Sequence, residues 1–326
     1  MSRVVVFDET GAPDVLRVVD EFVDEPGPGE VRIRIEAVGV NRLDAMMRTG
    51  GYPRPIRSPH TRLGCEGTGI IDAIGDGVEG WEVGDAVIVA ALPTMDLNGT
   101  YADHTVVPAD AVVTRPDGLD PTHAAALWVG GSTAYGALIE KAGMRPADHV
   151  LITAASSGVG LAAIQVANQI GATPIAVTRR SAKRDALLAA GAAAVIATDT
   201  DDLADEVRRL TRGVGADIIL DSVMGPGLSG LAQNVRAGGT LVTVGWLDPR
   251  PAPFPMTGPL TIHRYVGFEL LADPAAVRRM AAFLGAGVRS GTLIPTIDSV
   301  FTLDDVVDAH RRLDTGDLLG KIVLTT

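Results

Sequence analysis

Residues 149–180 constrain the possible fold of this chain more than any other stretch. A short apolar run at 150–154 leads into a turn of small residues at 155–160, and a helix-like apolar pattern follows as far as Gly171. A second short apolar run occupies 175–177. The pattern predicts a strand, a tight turn, a helix and a second strand. Such a unit suits a pyrophosphate, because small residues let the ligand approach the free N–H groups at the helix start.

The glycine pattern of this turn departs from the usual dinucleotide-binding sequence. The three positions that normally hold glycine are Ala155, Ser157 and Gly160, and an additional glycine occurs at Gly158. A glycine-rich turn in any α/β sheet is the alternative interpretation. The intact order of strand, turn, helix and strand favours a nucleotide site, with Ser157, Gly158, Val159 and Gly160 as its candidate residues.

The end of the second predicted strand favours NADPH over NADH as the cofactor. An NAD-binding unit usually has an acidic residue there for the ribose 2′-hydroxyl, whereas this chain has Thr178. Guanidinium groups pair with phosphate oxygens, so a basic cluster predicts a pocket for a 2′-phosphate. A solvated basic helix start is the alternative, but it would oppose the helix dipole. The cluster consists of Arg179, Arg180, Ser181, Lys183 and Arg184.

The spacing of apolar runs divides the chain into two predicted domains. Before residue 119, short alternating runs between many glycines and prolines indicate a small antiparallel barrel. From 121 onward, predicted helices alternate with strands, as in a doubly wound parallel sheet. We therefore predict an α/β protein with a barrel domain at 1–118, completed by 269–326, and a sheet domain at 119–268.

The predicted elements of the second half can be stated by residue. The helices are expected at 121–141, 160–170, 182–190, 201–212 and 226–236, and the strands at 150–154, 174–178, 193–196, 217–221 and 240–245. After Trp246 we expect a proline-rich loop at 249–259, a strand at 261–269, a helix at 274–290, and a helix and strand at 303–313 and 321–325. This tail is predicted to return to the first domain.

Composition excludes several kinds of partner. The net charge is −12 at pH 7, and no basic run exists beyond 179–184, so nucleic acid and anionic membranes are not expected partners. Cys65 is the only cysteine, which excludes an intramolecular disulfide and a four-cysteine zinc lobe. There is no signal-like leader, and no apolar stretch approaches about 18 residues. We predict a cytoplasmic protein that acts on small molecules.

Several different short motifs are distributed along nearly the whole chain. Among them are Gly-Val-Asn-Arg-Leu-Asp at 39–44, Arg-Thr-Gly-Gly-Tyr-Pro at 48–53, Leu-Gly-Cys-Glu-Gly-Thr-Gly at 63–69, Gly-Thr-Tyr-Ala at 99–102 and Gly-Lys-Ile-Val-Leu at 320–324. In this order they resemble the zinc-independent quinone oxidoreductases of the medium-chain dehydrogenase/reductase superfamily. The resemblance implies a GroES-like β-barrel catalytic domain, a Rossmann domain and a cofactor held between them. It also implies a homodimer, which we expect to pair through an exposed edge near 241–244.

Two positions that bind zinc in related alcohol dehydrogenases differ in this chain. Those enzymes carry a cysteine where this chain has Asn41 and a histidine where it has Cys65. Catalytic zinc needs three protein ligands, and Cys65 with Asp44 or Glu66 is a poor set. Without a Lewis acid, a plain carbonyl lacks its main stabilisation, whereas a quinone or α,β-unsaturated carbonyl delocalises the developing charge. The sequence thus predicts an NADPH-dependent reductase of such substrates that works without metal.

The resemblance also implies the residues of the site. Tyr52 is similar in position to the active-site tyrosine of related enoyl reductases and quinone oxidoreductases, and Asn41 resembles an asparagine beside the nicotinamide. The Tyr52 phenol would orient the substrate oxygen or donate a proton to it. Alternatively, Tyr52 packs under its own turn with the hydroxyl in water. The implied cofactor-binding residues are Asn41, Thr133, Ser157, Gly158, Val159, Gly160, Thr178, Arg179, Arg180, Lys183, Gly245, Trp246, Phe268 and Lys321.

Two other functions stay open from the sequence alone. A pathway-specific enoyl-thioester reductase would use the same cofactor and much of the same site. A nucleotide-binding protein with little turnover would need the cofactor site but neither Asn41 nor Tyr52. The natural substrate is not encoded in any motif, because its pocket depends on loops whose conformation the sequence does not predict.

Overall fold

The computed structural model describes residues 1–90, 92 and 94–326. It divides into two compact units, which we call unit 1 (Met1–Val129 with Pro295–Thr326) and unit 2 (Gly130–Ile294). The domains predicted from the sequence had earlier boundaries, after 118 and after 268. The difference arises because a short helix at Pro121–Ala125 packs on unit 1 strands, and a long helix at Pro274–Ser290 belongs to unit 2.

The regular elements are numbered here in chain order. The strands are β1 (Ser2–Phe7), β2 (Arg17–Glu21), β3 (Glu30–Val40), β4 (Thr61–Arg62), β5 (Gly67–Ile74), β6 (Ala86–Val89), β7 (His104–Pro108), β8 (Val112–Thr114), β9 (His149–Ile152), β10 (Thr173–Thr178), β11 (Ala194–Ala197), β12 (Ala216–Asp221), β13 (Val235–Thr243), β14 (Thr261–Arg264), β15 (Ile297–Thr302) and β16 (Lys321–Thr325). The helices are α1 (Arg42–Thr49), α2 (Met95–Asn98), α3 (Pro121–Ala125), α4 (Trp128–Tyr135), α5 (Gly158–Ile170), α6 (Arg184–Ala189), α7 (Leu203–Leu210), α8 (Leu228–Ala232), α9 (Phe268–Leu271), α10 (Pro274–Ser290) and α11 (Val306–Asp314).

Unit 1 is built mainly from antiparallel strands. Its described residues form a seven-stranded sheet in which β15, β16, β3, β5, β6 and β8 follow one another and β7 also pairs with β3. A smaller sheet has the order β2, β1, β4. The register between β16 and β3 pairs Ile322 with Val40, and it therefore brings Lys321 beside Asn41. This register brings the last strand of the chain to the residues on which the site depends.

Unit 2 is a parallel sheet with helices in its connections. The strand order is β11, β10, β9, β12, β13, β14, and every pairing is parallel. Buried residues of neighbouring strands, among them Leu151, Ile175 and Ile219, form its core. The chain runs outward from β9 in one direction and from β12 in the other, so the topological switch point lies between these two strands. Ligands of open parallel sheets bind at the carboxyl ends of the strands beside such a point.

Several predicted elements were wrong in their bounds. The helix predicted at 121–141 is divided into α3, α4 and a π-helical turn at Gly136–Lys141, because an apolar period does not reveal where one helix ends and another begins. The helix predicted at 226–236 ends at Ala232, since β13 already begins at Val235 and pairs with β12. One of the apolar runs that indicate the barrel spans 86–91, and its last residue, Ala91, lies outside the described residues.

The course of the chain after Trp246 also differs from the prediction. The strand predicted at 261–269 ends at Arg264, and α9 begins at Phe268. The helix α10, which lies beyond the predicted boundary at 268, also stays in unit 2, and the chain returns to unit 1 only at Pro295. Because β14 pairs with β13, residues 241–244 are not at the edge of the sheet, and β14 is the edge strand instead.

Candidate functional site

The turn between β9 and α5 lies at the carboxyl edge of the unit 2 sheet. A Cβ atom added to Gly160 would lie 2.6 Å from the Cα and carbonyl oxygen of Ala155, so only glycine fits where the helix start packs on the turn. Ser157 is the N-cap of α5, and its hydroxyl accepts the N–H of Gly160 at 3.1 Å. The N–H groups of Gly158 and Val159 come next to this cap, where a helix offers donors to an anion.

This geometry explains the altered glycine pattern. The second glycine of the usual sequence is replaced by Ser157, whose side chain is used within the turn to cap the helix. The turn also contains a strained residue, Ala154, with a positive φ of 46°. The backbone conformation that glycine normally supplies is therefore obtained here with small side chains.

The basic cluster lies next to the turn, at the end of β10. Lys183 Nζ donates to Ser156 Oγ at 3.0 Å, which joins the cluster to the turn. Thr178 is buried, whereas Arg179 and Arg180 are exposed. Within the described part of the chain, the Arg179 side chain makes no ion pair, so its guanidinium is available to a ligand.

Two members of the predicted phosphate pocket are engaged elsewhere. The N–H and hydroxyl of Ser181 both donate to the carboxylate of Asp199, at 2.9 and 3.1 Å. Arg184 forms an ion pair with Asp201 at 2.7 Å. Sequence reasoning missed Asp199, because it follows β11 and reaches the cluster only through the parallel pairing of β10 with β11. Of the predicted basic residues, Arg179 is therefore the one whose guanidinium is available to a phosphate, and the roles of Arg180 and Lys183 stay predictions.

The other predicted cofactor residues of unit 2 occupy different elements. Gly245 and Trp246 follow β13 at the same edge as the turn, and the Arg264 guanidinium lies 4.8 Å from the centre of a Trp246 ring. Thr133 lies in α4, the helix in which a Cβ added to Gly130 would be 2.9 Å from the carbonyl oxygen of Gly158. This close approach brings α4 against the start of α5. Phe268 is the first residue of α9, which precedes α10 in the chain.

A buried polar cluster forms the centre of unit 1. The Asn41 side-chain amide donates through Nδ2 to the Gly39 carbonyl at 3.0 Å, to Glu66 Oε1 at 3.0 Å and to Cys65 Sγ at 3.4 Å. Its Oδ1 accepts from Lys321 Nζ at 2.5 Å. Lys321 also forms an ion pair with Glu66, and these two side chains are 8% and 1% exposed. Every polar group of the Asn41 amide is thus engaged within unit 1.

The cluster needs a glycine beside it. A Cβ atom on Gly39 would lie 2.6 Å from Glu66 Oε1 and 2.8 Å from Lys321 Cε, and it would also collide with the carbonyl oxygen of Ala125. The second carboxylate oxygen of Glu66 accepts the backbone N–H of Val129 at 2.6 Å. The ion pair is therefore enclosed by backbone on more than one side.

Three more titratable groups, Asp44, Tyr101 and His310, extend the cluster further into unit 1. Asp44 accepts the backbone N–H of Asn41 at 2.7 Å and the hydroxyl of Tyr101 at 3.1 Å, and burial raises the pKa of its carboxyl to about 7. The Tyr101 hydroxyl also lies 3.4 Å from His310 Nε2. Burial, helped by the charge of Arg48, lowers the pKa of His310 to about 3, so this imidazole is uncharged at neutral pH.

Tyr52 has a hydroxyl that is buried and unpaired. Its oxygen has no hydrogen-bond partner among the residues that the structure describes. Burial is the main cause that raises the pKa of this phenol, and the nearby Cys65 and Asp96 raise it further while Arg54 opposes them. The group is therefore a protonated donor at neutral pH. The alternative in which this hydroxyl points into water is wrong, although the catalytic role of Tyr52 stays a prediction.

No helix among the described residues combines the length and apolar character that a membrane crossing requires.

Comparison with known proteins identifies the class of this two-domain chain. A family model described as alcohol dehydrogenase GroES-like domain matches residues 27–117, and one described as zinc-binding dehydrogenase matches residues 158–284. These matches, with the parallel sheet of unit 2, confirm the predicted fold class of a GroES-like domain and a Rossmann domain.

Individual relatives narrow the class to a family. Human quinone oxidoreductase is 30% identical over 332 residues, which cover 99% of this chain and 98% of the relative. The solved structure of Escherichia coli quinone oxidoreductase complexed with NADPH is similar with a TM-score of 0.91, 26% sequence identity and 100% coverage of both chains. The chain belongs to the quinone oxidoreductase branch of the medium-chain dehydrogenase/reductase superfamily, a family of oxidoreductases.

One relative is far longer than this chain. A phenolphthiocerol/phthiocerol polyketide synthase protein of Mycobacterium tuberculosis is 31% identical over 325 residues, or 98% of this chain. The chain spans 14% of the length of that protein.

The match to a zinc-binding family model raises the question of whether these residues fit zinc. In the described part of the chain, no three His, Cys, Asp or Glu side chains are placed to hold a metal ion. The Lys321 ammonium donates to Asn41 Oδ1 at 2.5 Å and forms an ion pair with Glu66, so a positive charge already lies among the candidate ligands. A fixed positive charge at this distance repels a second cation. The residues of this cluster do not fit zinc.

Replacing Gly39 by alanine should destabilise unit 1, because the added methyl group would collide with backbone and with a buried ion pair. We expect Gly39→Ala to lower the free energy of unfolding by about 3 kcal/mol or more, as for other overpacked cores. Gly51→Ala is the control, since its Cβ would meet only atoms at 3.8 Å or beyond. Equal denaturant midpoints for the two variants would contradict the tight packing at Gly39.

Asp44 should make stability depend on pH. The folded carboxyl binds its proton up to about pH 7, whereas in the unfolded chain it ionises near its ordinary value of 3.8. The folded state thus binds more protons between these values, and Asp44 destabilises the protein as pH rises through them. Asp44→Asn keeps the acceptor for Asn41 and removes the titration, so its stability relative to the natural chain should increase by up to about 4 kcal/mol from pH 4 to pH 7.

Denaturant unfolding at several pH values measures this difference. The exposed Asp76→Asn serves as the control and should follow the natural chain at every pH. A constant difference between Asp44→Asn and the natural chain across this range would show that Asp44 is ionised in the folded state.

Proposed function

We propose that this protein is an NADPH-dependent reductase that transfers hydride to a quinone or an α,β-unsaturated carbonyl without zinc. The observation that carries the proposal is the buried hydroxyl of Tyr52, which has no hydrogen-bond partner in the described part of the chain. A buried polar atom without a partner costs free energy, so its presence is explained if a ligand oxygen completes the hydrogen bond. The unsuitability of the Asn41 and Lys321 cluster for zinc supports the metal-free part of the proposal.

Unit 2 supplies the residues that would hold the cofactor. The N–H groups of Gly158 and Val159 suit a pyrophosphate at the start of α5, and the tight packing of Gly160 leaves backbone accessible there. Arg179, Arg180 and Lys183 suit the 2′-phosphate that distinguishes NADPH from NADH. The NADPH in the solved structure of the E. coli relative supports this choice of cofactor. NADPH, when bound, supplies the hydride.

Unit 1 supplies the residues that would act on the substrate. A conjugated carbonyl develops negative charge on oxygen when its double bond is reduced, and a protonated phenol stabilises that charge by donating a hydrogen bond. The raised pKa of Tyr52 keeps its proton in place for this role. Asn41 presents an amide whose orientation is fixed by Lys321 and Glu66, and we propose that it positions the nicotinamide.

A second candidate substrate is an enoyl thioester. Its carbonyl is also conjugated with a double bond, so the Tyr52 hydroxyl would serve it in the same way. The observation that favours it is the similarity of 98% of this chain to part of a polyketide synthase. Comparing turnover of a quinone, an enone and an enoyl thioester, each with NADPH, distinguishes the two candidates. A nucleotide-binding protein without turnover would reduce none of them.

We also propose a homodimer, which would pair through the edge strand β14 and not through residues 241–244. In the fully described unit 2, β14 pairs only with β13, so its other side presents unpaired backbone groups. A second copy of the chain is one way to cover such an edge. The cytoplasmic location likewise stays a prediction.

Removing the guanidinium of Arg179 should weaken NADPH binding selectively. Each hydrogen bond between charged groups contributes about 1.5–3 kcal/mol, so Arg179→Ala should lower NADPH affinity roughly ten- to a hundredfold and leave NADH affinity nearly unchanged. Arg208→Ala is the matched control, because Arg208 is an exposed arginine of unit 2 that pairs with Asp205 at 2.8 Å. Fluorescence titration of both cofactors measures the effect, and tighter NADH binding by the natural protein would refute the NADPH assignment.

Removing the Tyr52 hydroxyl should slow reduction of an enone more than reduction of a quinone. Loss of one preorganised donor to a developing oxyanion costs about 3–4 kcal/mol, so Tyr52→Phe should reduce the enone rate roughly a hundredfold or more. The quinone should lose less, because its reduced form is an already stabilised phenolate. Rates are measured at saturating NADPH for both substrates.

Tyr135→Phe controls for the loss of a tyrosine hydroxyl, since that group has a protein partner in Glu140 at 3.3 Å. A small and equal loss on both substrates in Tyr52→Phe would mean that Tyr52 is a packing residue. Catalysis would then depend on the positioning of substrate and cofactor alone.

A further inference from the structure

We propose that Lys321 and Glu66 are positioning residues, which hold the Asn41 amide in one orientation for hydride transfer. The inference rests on the proposed function of this site. It assigns to Lys321 a role exerted through Asn41, whose Oδ1 accepts a hydrogen bond from Lys321 Nζ at 2.5 Å.

The two ends of the Asn41 amide face opposite charges. The carbonyl end of Asn41 faces a cation, Lys321, and the amino end faces an anion, Glu66. A flipped amide would place its N–H groups against the ammonium and its oxygen against the carboxylate, so both contacts would be repulsive. Hydrogen bonds to charged groups are roughly twice as strong as neutral ones. The ion pair therefore selects one of the two amide orientations.

The surrounding chain holds Lys321 and Glu66 in place. Glu66 is fixed through its other oxygen by the N–H of Val129 at 2.6 Å, and the β16–β3 register places Lys321 opposite Asn41. Gly39 leaves the space in which both side chains lie. Neither partner is free to follow the amide if it rotates.

Burying an ion pair costs free energy of desolvation. Buried ion pairs commonly stabilise a fold no better than apolar residues of similar size, because both charges lose their hydration. An ion pair that is 8% and 1% exposed is therefore poorly explained by stability alone. Its contacts with both ends of the Asn41 amide point to a role in the site.

The test removes both charges together. Lys321→Met alone would leave Glu66 buried without its counter-ion and endanger folding, so the double variant Lys321→Met/Glu66→Gln is used. The matched control is Arg115→Met/Glu36→Gln, which removes another ion pair of unit 1, at 2.6 Å with side chains 15% and 25% exposed. The control pair makes no contact with the Asn41 cluster in the described residues.

The first measurement does not depend on activity. Cys65 is the only cysteine of the chain, and its Sγ lies 3.4 Å from Asn41 Nδ2, so the Raman S–H stretching band reports where the amide is. The charges of Lys321 and Glu66 also act on Cys65 directly, so the two substitutions are compared in the natural chain and in Asn41→Ala. We expect a larger shift of the band in the natural chain, where the amide also moves, and no shift in the control. Equal shifts in the two backgrounds would overturn the proposal, whether or not the enzyme reduces any tested substrate.

The second measurement is a mutant cycle on the rate of hydride transfer in single turnovers. At saturating NADPH the double variant should be about ten- to a hundredfold slower than the natural chain. Adding Asn41→Ala should cause no further loss, because the pair acts through Asn41. Independent, additive losses would overturn the positioning role. If the natural chain itself reduces no quinone, enone or enoyl thioester, the proposed function fails, and the Raman band still decides whether the pair orients the amide.

Discussion

The ion pair between Lys321 and Glu66 is the interaction on which the centre of unit 1 depends. Burial favours the uncharged forms of the groups around it, because it raises the pKa of Asp44 to about 7, raises that of the Cys65 thiol and lowers that of His310. Lys321 and Glu66 offset each other and so are buried as a pair. The amide of Asn41 is oriented in the field of that pair.

The groups that the two units offer to a ligand differ in kind. Unit 2 offers backbone at the start of α5, where Ser157 caps the helix and Gly160 allows close packing. Unit 1 offers side chains held in a buried hydrogen-bond network, and it leaves the hydroxyl of Tyr52 without a partner in the described chain. The proposed division of labour follows from this contrast, since a diphosphate is bound by backbone N–H groups and a substrate oxygen by one directed donor.

Much of the fold was predictable because its signals are local. The turn after β9, the end of α5 at Gly171 and the helix α10 follow from short patterns of glycine, apolar and capping residues. The errors occur where the pairing of strands from distant segments decides the structure. The residues at 261–290 have the pattern of a strand and a helix, but no local signal says that β14 joins the sheet of unit 2. Asp199 was missed beside the basic cluster for the same reason.

The sequence by itself determined the family, the nucleotide turn and the basic cluster after β10. Each of these depends on short motifs of a few consecutive residues. Only the tertiary structure decided what surrounds Asn41. Lys321 and Asn41 are 280 positions apart, and they meet because β16 pairs with β3 in one register. Burial then decides which groups keep their charge, and burial depends on packing from distant segments rather than on neighbours along the chain.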